Sequence, residues 1–304
     1  MGVEPVARAK PPAGRGFRPG GRKRFLDADG RAALLGRDDK VSTPVPPLES
    51  LGEEADRILS GGEAAGVTLR LLGGVAVVTR CPSASKPPFS RRYVDIDLFG
   101  RRKETAKINR LFKDLGYKPR ERFNALHGSR LIFNDMKNMR RVDVFLDVFQ
   151  MCHKFDFRDR AGLEPKTITI SDLLATKLQI VEMNEKDIKD ILVLLLDHDV
   201  AMEETPDKIN TSHLAKLCAE DWGIYRTFTM NLDRVPEFVQ RLSLDAEQKA
   251  RITGRAESIR KSIESAPKSM GWKMRARVGD RKRWYELPEA DQSVVDFDPS
   301  AAAR

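Results

Sequence analysis

LLGGVAVVTRCPSASKPPFSRRYVDID, Leu71 to Asp97, is the stretch whose reading decides the rest of the chain. The apolar run Val67 to Leu72 breaks on Gly73-Gly74 and continues into a small apolar segment that predicts a short helix. A loop with Pro82, Pro87 and Pro88 follows, then Tyr93-Val94-Asp95-Ile96-Asp97-Leu98-Phe99. Side chains two apart on a strand point to one face, so Asp95 and Asp97 project together. Val94, Ile96 and Leu98 face the other way. Two like charges held that close repel, and a cation between them resolves the repulsion. A glycine pair at a strand-to-helix turn admits another group close to the backbone, and a helix N-terminus offers free N–H groups to an anion. Acids that hold a metal, beside a turn that holds an anion, are the parts needed for a metal–nucleoside triphosphate.

A second run is more strand-like still: Arg141-Val142-Asp143-Val144-Phe145-Leu146-Asp147-Val148-Phe149. Asp143, Phe145 and Asp147 share one face, and Val142, Val144, Leu146 and Val148 the other. A carboxylate in the middle of a largely apolar strand is costly unless paired or metal-bound. One of the two acids is therefore a candidate third ligand beside Asp95 and Asp97. The other reading is an ion pair to a neighbour such as Arg141 or Arg92. Asp143 and Asp147 both stand for the ligand role at this point.

Around these runs the chain of 304 residues has room for two modest domains, or one with tails. The net charge of +9 points to polyanionic partners, or simply to basic tails that keep the protein in solution. Cys81, Cys152 and Cys218 are scattered and odd in number, which argues against a disulfide framework or a structural zinc site. No apolar run approaches a membrane span and the start lacks a secretion signal, so the expected location is the cytoplasm, with no membrane partner.

Residues 1–48 read as a disordered basic tail; from Arg8 to Arg24 there are seven basic residues and no acid. The folded part runs over 49–200, beginning with a helix on Leu51, Ala55, Ile58 and Leu59. After the paired-acid strand, Ile108, Leu111, Phe112 and Leu115 space as a helix closing at Gly116. Two strands are expected around Leu126 and over 130–133, with a turn at Asn134-Asp135. Thr167 to Ile170 reads as a short strand; Ser171 or Asp172 would then cap a helix to about Glu182. A helix over 186–196 follows. Residues 201–287 form a helical region, with helices over 211–219, 235–242 and 246–265, and residues 288–304 a disordered tail. In 268–283, seven basic residues and one acid interleave with Trp272, next to Trp284, a pattern that suits nucleic acid or basic stems lying over a surface Trp. Cys152-His153 and His127 make no metal set and read as structural or acceptor-side residues.

Leu72-Gly73-Gly74, Asp95-Ile96-Asp97 and Val142-Asp143-Val144 stand in the order of the nucleotidyltransferase superfamily signature, and the middle of the chain resembles that superfamily. Asp172-Leu173-Leu174-Ala175-Thr176-Lys177 and Lys186-Asp187-Ile188-Lys189-Asp190 resemble the two following helices of its minimal branch, which holds the toxins of type IV abortive-infection toxin–antitoxin systems. The resemblance implies an α+β fold, a mixed β-sheet flanked by helices and followed by the C-terminal helical region. It implies Mg²⁺-dependent transfer of a nucleoside monophosphate from an NTP, such as ATP, to a hydroxyl acceptor, with RNA (tRNA), protein or a small molecule all open. Asp95, Asp97 and Asp143, or Asp147 in its place, would hold Mg²⁺. Gly73, Gly74 and Lys177 would bind the nucleotide, with Asp172, Lys186, Asp187 and Asp190 in support, and an antitoxin-like partner is implied. Against the compact motif, the interval from Gly74 to Asp95 is long, Gly74 stands where many transferases have Ser, and Lys186 stands where relatives often have Arg. The alternative is an inactive protein of the same fold that binds NTP or RNA without turnover.

Overall fold

The computed structural model describes residues 46–287; what the sequence leads one to expect of 1–45 and 288–304 lies outside them. Helix α1 (Leu51–Ala64) starts where Ser50 accepts a hydrogen bond from the Glu53 N–H, a side-chain cap on an otherwise unpaired donor. Strand β1 (Leu69–Leu72) runs directly into α2 (Gly73–Arg80), and β2 (Asp95–Gly100) carries the paired acids. Then come α3 (Thr105–Asp114), β3 (Lys118–Pro119), α4 (Glu121–Leu126), β4 (Arg130–Asp135) and β5 (Arg140–Leu146). The five strands form one mixed sheet in the order β1-β2-β5-β4-β3, with only β2 and β5 parallel.

Alternation along β2 and β5 sorts the two faces. Ile96, Leu98, Val142 and Val144 are buried on one of them. It packs on α3, where Phe112 stacks on Phe133 of β4 at 4.1 Å between ring centroids. The opposite face carries Asp95 and Asp97 on β2, and Asp143 and Phe145 on β5. Phe145 meets Phe149 of a small hairpin, β6 (Val148–Gln150) and β7 (Lys154–Asp156), at 4.7 Å. Burying an aromatic side chain of this kind contributes about 2–3 kcal/mol, so the hairpin is held by apolar contact.

The α+β class is as expected, with the mixed sheet flanked by helices and further helices after it. Helices α5 (Ile170–Leu178), α6 (Glu185–Asp197), α7 (Thr211–Glu220), α8 (Trp222–Asp233), α9 (Val235–Gln240), α10 (Ala246–Ser265) and α11 (Met270–Val278) follow the hairpin. One buried apolar cluster runs from Ile96 and Phe99 in the sheet through Leu174 and Leu194 to Phe228 and Ile259. Three local expectations fail. Leu126 ends a helix, not a strand, and β4 continues through Asn134-Asp135 before turning. Residues 167–170 form no strand: Thr167 makes a single bridge to Leu71, and Thr169 then caps α5 by accepting from the Asp172 N–H. The tryptophans in and next to the basic segment lie against cations: Lys268 sits 5.9 Å from the Trp272 ring and Arg226 5.4 Å from Trp284.

Glu54 is fully buried on α1 and supplied with donors from three sides. Tyr117 Oη donates to it at 2.6 Å, Arg57 Nε at 2.7 Å and the Leu48 N–H at 2.9 Å. Burial, and then the bond to Glu54, push the Tyr117 phenol well above its ordinary value, so it stays a donor at any working pH. Tyr117→Phe keeps the ring but removes one donor from a buried carboxylate. It should cost about 2 kcal/mol in urea unfolding; an unchanged midpoint would mean that the phenol donates nothing that matters to stability.

Candidate active site

The acids converge through strand register. Asp97 pairs with Asp143 across the parallel β2–β5 ladder, Asp95 with Arg141, and Leu72 at the end of β1 with Asp97. Asp95 is exposed, Asp97 half-buried and Asp143 fully buried. Burial, followed by the charges of Asp95 and Asp143, pushes the Asp97 carboxyl up to about 8, while Lys177 and Arg130 pull it down.

Gly73 has φ +67°, and a Cβ there would overlap Asp97 Oδ2 and stand 2.9 Å from its Cγ. The group that comes close to this glycine is therefore the protein's own carboxylate. A Cβ on Gly74 would meet Arg91 Nη2 at 2.6 Å and the Tyr93 ring at 2.9 Å. Arg91 lies over Tyr93, 4.0 Å from the ring centroid.

Lys177, on α5, reaches the same place. Its Nζ pairs with Asp190 Oδ2 at 2.9 Å, and Arg91 grips the same carboxylate with Nη2 at 2.8 Å and Nε at 3.1 Å. Burial works against the charge of Lys177, but Asp190, Asp187 and Asp97 together hold its pKa above the ordinary value. Asp187 closes the capping box of α6 with Asn184, and burial pushes its carboxyl up. Lys186 is exposed and lines a recess of about 440 Å³ with Arg91, Asn184, Glu185 and Lys189.

Two candidates stand apart. Asp147 lies past the end of β5 with φ +63°, and its Oδ1 accepts from the Arg102 N–H at 3.1 Å. Four residues of strand, about 13 Å, separate it from Asp143. Asp172 ties α5 to α7, accepting from Arg160 Nε at 2.7 Å, His213 Nε2 at 2.8 Å and Thr169 Oγ1 at 2.9 Å. Burial opposes its charge, yet His213 and Arg160 keep its carboxyl below the usual range.

Sequence reasoning passed over Arg91, Tyr93 and Arg130. Arg130 and Arg141 both bond Asp143. The signal for the first two was Arg91-Arg92-Tyr93 directly before the acid strand; Arg130 has none, since only the β4–β5 register brings it over. Arg130 also borders a cavity of about 230 Å³ lined by Phe123, His127, Phe145, Gln150 and Glu286. His127 stacks on Phe123 at 4.0 Å. His153 is buried against Thr227 Oγ1 at 2.8 Å, and burial lowers its pKa to about 4, which suits a neutral structural role.

Asp95 and Asp97 fit a divalent ion by chemistry: they are hard oxygen donors two apart on one strand face, and the repulsion between them is what a cation would relieve. Asp143 as placed does not, since both its oxygens accept from guanidinium groups.

No protein-family model matches the chain, and no curated protein does. Among the solved structures that are similar to it are the following two. The lincosamide antibiotic adenylyltransferase LnuA, in its lincomycin-bound form, is 20% identical, with 49% of this chain and 98% of that one covered and a TM-score of 0.36. The antibiotic-resistance factor ANT(2'')-Ia, seen in solution, is 12% identical over 69% of this chain and 92% of its own, with a TM-score of 0.33. Among the described residues, no helix is long and apolar enough to cross a membrane.

Proposed function

We propose that this chain is a nucleotidyltransferase that moves a nucleoside monophosphate from an NTP to a hydroxyl acceptor. The observation that carries this reading is the meeting of Asp97 with Asp95, Asp143 and the Gly73 bend on one sheet face. In the reaction the acceptor oxygen attacks the α-phosphorus, the bond to the pyrophosphate oxygen breaks, and the acceptor proton passes to a carboxylate. A divalent ion on Asp95 and Asp97 would supply charge neutralisation for the phosphates when bound. The uncapped first turn of α2 offers N–H donors to phosphate oxygens. Lys177 and Arg91 add positive charge beside it, and the recess lined by Lys186 and Lys189 gives a polyphosphate somewhere to extend. The cavity at Phe123 and Phe145 has the volume for one ring of an acceptor. An RNA or protein acceptor and an antitoxin-like partner belong to the same reading.

One observation favours a second reading, a protein of this fold that binds NTP or RNA without turnover: Asp143 is bracketed by two arginines. Incubation with each α-labelled NTP, Mg²⁺ and a cell extract separates the two. Under the transferase reading one NTP leaves its label on an acceptor, and Asp95→Asn weakens NTP binding about ten-fold in the presence of Mg²⁺. An RNA-binding module would instead lose affinity steeply with salt and ignore Asp95→Asn.

A further inference from the structure

No side chain of α11 is buried, although Met270, Trp272, Met274 and Val278 all stand on it. Each residue advances about 100° around a helix, which separates two arcs. Trp272, Arg275 and Ala276 make the inner, half-buried arc. The Trp272 indole N–H donates to the Cys218 carbonyl at 2.9 Å, and its ring meets Tyr225 at 5.0 Å. Arg275 donates to the Gly279 and Lys282 carbonyls, at 2.9 Å each. Met270, Met274 and Val278, four apart, make the outer arc and are 71%, 58% and 40% exposed. Lys273 and Arg277 flank them on one side and are exposed as well. A groove of about 760 Å³ adjoins this arc between α7 and the end of α10, lined by Met202, Ala215, Ala219, Ala266, Pro267 and Ser269. Ser269 is also the cap of α11, so the groove borders Met270 directly.

The charge beside this apolar surface is positive. Lys273, Arg277, Arg281, Lys282 and Arg283 are exposed, and among the described residues none of them has an acid partner. Arg281 donates to the Arg277 carbonyl, and Arg283 lies 5.8 Å from the Tyr285 ring centroid. The acids of the neighbouring segments are engaged elsewhere. Asp280 pairs with Arg226, Glu220 with Lys216 and Glu264 with Arg260, while Asp221 caps α8 and Glu286 accepts from Gln150. An apolar arc and groove rimmed by such cations complement an amphipathic helix with acidic flanks. A bilayer surface is flat and does not fill a groove, and a nucleic-acid backbone gains nothing from exposed methionines. Methionine, flexible and polarizable, is well fitted to pack against another helix. The described chain itself leaves the arc uncovered: beyond Arg283 it is tied to the turn of the β6–β7 hairpin, where the Glu286 N–H bonds the Cys152 carbonyl.

We propose that the outer arc of α11 and the adjoining groove dock an acidic amphipathic helix of a partner protein. Its apolar side chains enter the groove and lie along Met270, Met274 and Val278. Its carboxylates meet Lys273 and Arg277. This surface is independent of the nucleotidyl-transfer reading, and either stands without the other.

Fluorescence anisotropy on the full chain tests the surface with a labelled peptide of two Leu-Glu-Glu-Leu-Leu-Glu-Glu repeats. The same peptide with Lys in place of Glu should bind at least about ten-fold more weakly. Met274→Ser and Arg277→Glu change exposed positions, so each should leave Tm unchanged and weaken the acidic peptide at least about five-fold. Lys273→Glu combined with Arg277→Glu should turn the preference toward the Lys peptide. A surface that merely attracts negative charge would bind poly(U) or phosphatidylglycerol vesicles as tightly and ignore Met274→Ser, and that result overturns the proposal. So does a parent that binds no peptide. Binding that emerges only after removal of residues 288–304 would make the chain's own tail the occupant and overturn the partner as well. None of these readouts involves an NTP, so their failure leaves the transferase reading untouched.

Discussion

Asp97→Asn will make the unliganded protein more stable and, under the proposed function, remove transfer activity. Both effects come from one carboxylate. In the folded chain its pKa stands at about 8 against an ordinary 3.8. Between those values the folded state keeps a proton that the unfolded chain releases, so stability falls as pH rises from about 4 to about 8 and is level above. Asparagine has no charge to confine. Its advantage over aspartate therefore grows across the same window and is complete above it. Water reaches one side of the half-buried carboxylate and screens part of the repulsion, so the expected gain is about 1–2 kcal/mol, or about 3–6 °C in Tm at about pH 9, and close to nothing at about pH 4. Label transfer should drop on the order of 10³-fold, because asparagine cannot supply the charge that the reacting phosphate and its cation need. Equal melting points for the two proteins at both pH values would show that Asp97 sits unstrained.

Gly73→Ala should damage the fold through backbone and packing at once. The residue has φ +67°, where an L side chain costs about 1–2 kcal/mol. The added carbon would also lie 2.9 Å from Asp97 Cγ and 3.0 Å from its Cβ, contacts that a short side chain cannot swing away from. A loss of about 3 kcal/mol or more is expected in urea unfolding, with activity lost in whatever still folds. Gly74→Ala provides the contrast. Its neighbours are the tip of Arg91 and the ring edge of Tyr93, side-chain atoms that can shift, so stability should fall by less than for Gly73→Ala, about 1 kcal/mol. A double-mutant cycle identifies the cause: in an Asp97→Ala background the Gly73→Ala penalty should shrink to the backbone part. An undiminished penalty would mean that the crowding against Asp97 is not what the glycine relieves.

The parts of this site that were legible in the sequence are those encoded by short-range alternation. Asp95-Ile96-Asp97 and Val142-Asp143-Val144 announce half-buried strands with acids on one face, and the glycine pair announces the bend. Which of Asp143 and Asp147 joins them was not legible, because alternation says nothing about where a strand stops. Asp147 takes a left-handed backbone angle just past the end of β5, and that break sends its side chain to Arg102. The arginines on Asp143 and the Arg91–Asp190–Lys177 chain arise from pairing between segments far apart in sequence. Helix α8 was missed for a related reason. Its run Trp222-Gly223-Ile224-Tyr225-Arg226-Thr227-Phe228-Thr229 is full of residues that favour strands, and the burial of Ile224 and Phe228 with the Asp221 cap overrides that preference.

That same helix reaches back toward the chemistry. Asn231 of α8 donates its side-chain amide to the carbonyl oxygens of Leu178 and Ile180, at 2.8 Å each, which are the last links of the segment that holds Lys177. The lysine's anchorage therefore depends on how α8 packs against the end of α5. Under the proposed function, a substitution in α8 that displaces Asn231 would loosen the hold of Lys177 on a donor's phosphates without touching the site itself.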